Sequence, residues 1–204
     1  MTASMPPLKG VTRVARWSDL ARASVRPPLT VRRTRGAQEL DAFATGYCRV
    51  SGYRVDLPYL SRARVFVAVR DDRLVGGFVL NVDPPFRTHT RMPESEQRRL
   101  AHEFPPERTV ELTCVWLTQE ARGGLSSASL WACLVWHASR QGRPRVVFGT
   151  EVERLSRLYE RTGARLLYEG EVCVDGHGRH GWIYSVSRGR WPYAMLGLVA
   201  FPRP

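Results

Sequence analysis

The densest set of groups suited to chemistry lies in residues 122–130: Arg122, the pair Gly123-Gly124, then Leu125, Ser126 and Ser127. Two adjacent glycines let a backbone turn with its N–H groups pointing one way. A helix is expected to begin there, with its first N–H groups lacking intrahelical acceptors and its positive dipole end exposed. That combination suits a pyrophosphate. Arg122 would add a cation, and Ser126 and Ser127 would add hydroxyl donors. An ordinary well-capped strand-to-helix turn has the same appearance, so this segment alone leaves both readings open.

Other reactive side chains are less suggestive. Cys114 sits in an apolar strand, where it is either an acyl nucleophile or a buried structural thiol. The four cysteines, Cys48, Cys114, Cys133 and Cys173, form no CxxC pair and have no zinc-ligand spacing. They are expected to be free and reduced. His177, His180 and Cys173 match no standard ligand set, so no metal is expected. Ser126 and Ser127 lie outside a nucleophile-elbow pattern.

These groups need elements to position them. Residues 109–117, TVELTCVWL, read as a buried strand, TQEARGG as a polar turn, and SSASLWACLVWHASRQG as a helix capped by Ser126 or Ser127 and ended by Gly142. Before them, LTVRRTR alternates like a half-buried strand, AQELDAFATGYCRV repeats at helical spacing, ARVFVAVR is a strand of β-branched and aromatic residues, and Asp71-Asp72 turns the chain into RLVGGFVLNV. Residues 52–62 and 84–93 read as connections, and ESEQRRLAHEF as a short helix. After them come strand RVVFGT, helix EVERLSRLYERTG, and strands ARLLYEGEVCV and GWIYSVSR around a glycine-rich turn. The order β-α-β-β-α-β-α-β-α-β-β alternates in its second half, which favours parallel neighbours there. Hairpins at both ends call for a mixed sheet, an α/β (α+β) fold. We divide the chain into a basic arm (1–28), a catalytic-size domain (29–188) and an apolar tail packing on it (189–204).

The chain has 204 residues, 31 Lys plus Arg, and a net charge of +12 with a pI near 10.5. Lys9 is its only lysine, leaving 31 − 1 = 30 arginines. The charge suits a negatively charged partner. The arginines are dispersed and carry no recognition motif, so nucleic acid is not expected. No apolar run approaches the roughly 20 residues of a spanning helix, and no signal peptide is visible, so the cytoplasm is the expected compartment. Oligomeric state stays open.

The segment Gly124-Leu125-Ser126-Ser127-Ala128-Ser129-Leu130 resembles the coenzyme A loop of the GNAT acyltransferase superfamily. Downstream, LSRLYERTGARLLYEG resembles that family's tyrosine-bearing helix and following strand, with Tyr159 and Gly163 at the matching positions. The element order matches over residues 29–188. Departures are Ala121 at the loop's first position, Ser126 for a glycine, Val152 for an asparagine and Ala164 for an aromatic. Val110-Glu111-Leu112-Thr113 resembles a strand of acyl-homoserine-lactone synthases, with Cys114 in place of their arginine. Long-chain N-acyl amino acid synthases are a further comparison.

The resemblance implies a GNAT-like, mostly antiparallel sheet flanked by helices. It implies an N-acyltransferase in which an amine attacks a thioester directly. The donor would be acetyl-CoA, a longer acyl-CoA or an acyl carrier protein, held by Trp116, Leu117, Arg122, Gly123, Gly124, Leu125, Ser126 and Ser127. A backbone N–H around Trp116 or Leu117 would hold the oxyanion. Tyr159 would protonate the departing thiolate, or is a packed core aromatic. Glu111 would be the general base, or is a paired strand-end carboxylate. The acceptor would be a small-molecule or peptide amine, and Arg54, Arg62 and Arg87 suggest a carboxylate or phosphate on it. The tail would pack as core or wall an acyl channel. The alternative is a non-catalytic module that binds coenzyme A or a protein.

Overall fold

Runs containing β-branched residues, with Phe added in the second and third, build β1 (Thr30–Arg33), β2 (Arg64–Arg70) and β3 (Arg73–Asn81). Asp71 and Asp72 turn β2 into β3 with φ of 48° and 57°, the left-handed pair that a two-residue hairpin requires. The computed structural model describes residues 29–193; the basic arm and residues 194–204 of the tail lie outside them. Between β1 and β2 run α1 (Ala37–Ser51) and α2 (Leu57–Arg62). Gly52, at φ 78°, ends α1 by giving its N–H to the Cys48 carbonyl at 2.9 Å. The second helix falls where the sequence reads as an irregular connection. Pro58 starts it, because a proline costs nothing in the first turn, where its N–H would have no partner.

The remaining elements are α3 (Arg87–Thr90), α4 (Glu94–Glu103), β4 (Thr109–Leu117), α5 (Gly124–Ser139), β5 (Arg145–Thr150), α6 (Glu153–Arg161), β6 (Arg165–Val174) and β7 (His177–Ser187). Among the described residues, seven strands form one sheet in the order β1-β2-β3-β4-β5-β7-β6. Only β4 and β5 are parallel; the other neighbours are antiparallel. The sheet is therefore mixed and mostly antiparallel, as expected. The parallel alternation stops earlier than the element order suggests. Asp175-Gly176 (φ 52° and 80°) folds β7 back, and β7 inserts between β5 and β6.

Helices cover both faces. On one, Leu130 and Leu134 of α5 and Tyr159 of α6 pack with Phe78, Val110, Leu112, Leu117, Phe148 and Tyr184. Trp191 is buried in this same cluster. On the other, Phe43 and Tyr47 of α1 and Tyr59 of α2 pack with Val65, Val79, Cys114 and Trp116. A third cluster gathers Leu100 and Phe104 at α4 with Val147, Leu167 and Ile183.

Two irregularities of β4 shape the centre. First, β4 pairs with β5 only from Thr109↔Arg145 to Leu112↔Phe148. Beyond Leu112 the strands part, and residues 113–117 keep a partner only on the β3 side. Second, Thr113 opposes Val79 and Trp116 opposes Gly77, so β4 carries one extra residue. This bulge holds Cys114 at φ 50°. It switches the alternation of side chains, so Cys114 and Trp116 share the α1 face while Leu117 returns to the α5 face. Glycine opposite the bulge is a steric necessity. A Cβ on Gly77, at φ 154°, would meet the Phe66 carbonyl oxygen at 2.1 Å.

Candidate active site

The end of β4 leads through Gln119–Ala121, a single tight turn, into α5. The helix begins two residues before the serines expected to cap it. Gly123 takes the N-cap at φ 98°, and Ser127 Oγ instead accepts the Gly123 N–H at 2.9 Å. The first-turn N–H groups have no acceptor within the helix. Arg122 is exposed beside them, with its Nε–H on the Leu117 carbonyl at 3.0 Å. Leu125 projects outward, 89% exposed.

A cation that the sequence did not reveal joins this loop. Arg70, at the end of β2, donates to Ser126 Oγ, and its buried Nε has no acceptor among the described residues. The positive dipole end of α5 therefore stands between two guanidinium groups, Arg70 and Arg122.

Tyr159 faces the same side of the sheet. Its ring meets Phe148 edge-on at 4.9 Å and Tyr184 at 5.7 Å. It shares a cluster with Leu117, Ala121 and Leu130, the residues that carry the loop. Burial, with Tyr184 adding to it, pushes its phenol up to about 12. Tyr47 is likewise pushed up to about 12, by burial and then by Cys114. These shifts predict an alkaline weakness. A phenol with its folded value above the unfolded value of ~10 stabilises the fold fully below pH ~10. That stability is lost as pH rises from there through about 12. Urea unfolding is expected to show a steep fall over this window, flattened in Tyr47→Phe with Tyr159→Phe; an equal fall in the double variant would refute the assignment.

The opposite side of the fork opens into a narrow cleft of ≈ 70 Å³, lined by Tyr47, Arg87, Arg91, Thr113, Cys114 and Trp182 among others. That is room for a handful of non-hydrogen atoms. Arg91 is paired with Glu151 at 2.8 Å. Arg87 is not paired with a carboxylate among the described residues. It donates to the Arg54 carbonyl at 2.6 Å and to Cys114 Sγ at 3.5 Å, and lies over the Tyr47 ring at 5.9 Å. Burial raises the Cys114 thiol above its ordinary value, against the opposing pull of Arg87. A protonated buried thiol is a poor nucleophile, so the structural reading of Cys114 is the better one. The four cysteines are free, with Cys114 buried and Cys173 exposed.

Glu111 lies beneath this cleft and is 0% exposed. Its Oε1 accepts the Thr88 N–H at 2.5 Å and the Thr88 hydroxyl at 2.8 Å. Its Oε2 accepts the Tyr59 hydroxyl at 2.7 Å and Asn81 Nδ2 at 3.4 Å. Four donors on one carboxylate tie α2, α3 and β3 to β4. This is the geometry of an anchor. Trp116 points its ring into the α1 side, where a Cβ on Gly46 would meet it at 2.3 Å; its buried Nε1 has no partner among the described residues.

The structure thus gathers Leu117, residues 122–127 and Tyr159 on one side of the fork. Glu111 and the Trp116 ring lie on the other, together with Arg87. Arg54 gives its N–H to Asp175 at 3.0 Å, and Arg62 donates to the Pro85 carbonyl at 3.2 Å. Among the described residues, no group of three His, Cys, Asp or Glu side chains could hold a metal ion, and no helix is long and apolar enough to cross a membrane.

The mixed, mostly antiparallel seven-stranded sheet flanked by helices has the fold of solved acetyltransferases of the GNAT family. The chain is similar to FeeM, an N-acyl amino acid synthase from uncultured soil microbes, with TM-score 0.65 at 13% identity over 86% of this chain and 98% of that one. It is similar to an N-acetyltransferase from Staphylococcus aureus Mu50, with TM-score 0.53 at 13% identity over 78% and 98%. It is also similar to a Bacillus subtilis acetyltransferase in complex with CoA, with TM-score 0.50 at 16% identity over 78% and 98%. At such identities the likeness is one of fold. No family model matches the sequence, and no curated protein matches it.

Proposed function

We propose that this protein is an N-acyltransferase that passes an acyl group from a phosphopantetheine thioester to a small amine bearing a carboxylate. The observation that carries the proposal is the parting of β4 from β5 after Leu112, directly beside an α5 N-terminus flanked by Arg70 and Arg122. The pantetheine arm would lie along the free edge of β4, pairing as an added strand. Its pyrophosphate would rest on residues 123–127, where Arg70 Nε would gain the acceptor it lacks. A β4 N–H near Trp116 or Leu117 would hold the oxyanion. The amine would enter from the opposite cleft, with its carboxylate on Arg87. The likeness to a synthase of N-acyl amino acids supports that acceptor class.

The donor half is tested by thermal shift with coenzyme A, acetyl-CoA and a long-chain acyl-CoA. Saturation at 100 times the dissociation constant stabilises by about 2.7 kcal/mol, a rise of roughly 5–10 °C for a chain of this size. The rise is expected to vanish in a folded Gly124→Trp variant. If no thioester shifts the protein, acyl carrier protein is the donor to try; failure of both removes the enzyme reading. The acceptor half is tested by Arg87→Leu. A lost charged hydrogen bond is worth about 1.5–3 kcal/mol, so kcat/KM is expected to fall roughly 10–100-fold for amino acids and hardly at all for their decarboxylated amines. An equal fall for both would make Arg87 a structural residue.

A further inference from the structure

At the end of the sheet opposite the α5 loop, the beginnings of β4, β5 and β6 and the end of β7 come together. A hollow of ≈ 360 Å³ opens there, lined by Arg108, Arg145, Arg165 and Arg190, with Ser185 and Ser187, and by no acidic side chain among the described residues. That volume falls in the range of small-molecule sites. The sheet register fixes the cluster. Arg145 pairs with Thr109 on one side and Ser187 on the other, and Arg165 pairs with Ser185. Arg145 lies over the Phe104 ring at 5.0 Å, which orients its planar guanidinium. Arg165 is bound to Glu103 at 2.8 Å. The exposed side chains of Arg108 and Arg190 have neither a hydrogen bond nor an ion pair among the described residues.

Four guanidinium groups around one hollow repel one another, and among the described residues the only ion pair made by any of them engages Arg165. Such a set is stabilised by a ligand that brings several negative oxygens at once, because each guanidinium can fork onto two of them. Thr109 and Leu117 stand eight residues apart along β4; at ~3.3 Å per residue the two ends are about 26 Å apart. The donor's pyrophosphate on the α5 loop cannot reach this hollow. We propose that it is a second anion site, for a ligand carrying two adjacent phosphoryl groups, such as pyrophosphate or the diphosphate of a nucleotide.

The site is independent of the acyltransferase reading, and its test keeps them apart. Pyrophosphate and orthophosphate are titrated calorimetrically into the full chain in the Gly124→Trp background, where the α5 loop is obstructed, at low ionic strength. One equivalent of pyrophosphate is expected to bind at least tenfold more tightly than orthophosphate. Arg108→Ala with Arg190→Ala is expected to weaken it at least tenfold while leaving the melting temperature unchanged. Absence of binding in that background, equal affinity for the two anions, or affinity that survives the double substitution would each overturn the proposal.

Discussion

Replacing Glu111 by leucine is expected to lower folding stability by about 3–5 kcal/mol, because the buried donors that meet its carboxyl group lose their common acceptor. The carboxylate is fully buried and accepts from Tyr59, Asn81 and both the N–H and hydroxyl of Thr88. Leucine supplies no acceptor, and each buried donor left unmade costs about 1–3 kcal/mol. Three separate elements would lose their tie to β4 at once. Against a typical total of about 5–15 kcal/mol, that brings the variant close to unfolding. The urea midpoint should drop with the slope of the transition unchanged. Glu111→Gln keeps the shape and one acceptor oxygen, and should cost less. It also separates two roles. An anchor predicts that thioester turnover in Glu111→Gln follows the folded fraction. A general base predicts a collapse of kcat in protein that is still fully folded.

Much of the fold is legible in the chain because its signals are local. Asp71-Asp72 and the glycine-rich DGHGRH announce hairpins, although the second turns more tightly, at Asp175-Gly176, with β7 already running from His177, and residues 109–117 announce a central strand. The unbroken apolar run of β2 marks a strand buried on both faces, with Val65 and Val67 toward α1 and Phe66 and Ala68 toward α5. The candidate site is legible where one contiguous segment carries it: glycines, serines and Arg122 follow one another in residues 122–127. It is illegible where the partners come from far apart. Arg70 reaches Ser126 across 56 residues, and Tyr59 reaches Glu111 across 52. No local pattern encodes either meeting. The Glu111 network left only a faint trace, an asparagine and a glutamate inside otherwise apolar strands. The bulge at Cys114 has no signal of its own either, since a cysteine in an apolar run gives no hint of φ 50°. Its counterpart does: Gly76-Gly77 interrupts β3 opposite it, and paired glycines in a strand mark a close backbone approach.

Under the proposed acyltransferase function, with Tyr159 as donor to the departing sulfur, Tyr159→Phe is expected to lower kcat by roughly 10²–10³, the loss that follows removal of one donor aimed at developing negative charge, while leaving the fold intact. The ring's contacts with Phe148 and Tyr184 survive the change. Burial holds the phenol up at about 12, which favours its acting as a hydrogen-bond donor. A thiol ionises near ~8.5, so complete transfer of the phenolic proton to the thiolate runs uphill. The phenol is better suited to donate a hydrogen bond to the departing sulfur. The proton that finally resides on sulfur is then the one the amine sheds as its nitrogen–carbon bond forms and the carbon–sulfur bond breaks, so one proton leaves nitrogen and one arrives on sulfur. Two results follow. No loss of activity from ionisation of Tyr159 should appear below pH ~10, because the phenol stays protonated there. The penalty in Tyr159→Phe should also shrink for thioesters of more acidic thiols, whose anions need less help. Equal penalties across leaving groups, or none at all, would make Tyr159 a core aromatic whose hydroxyl takes no part in the transfer.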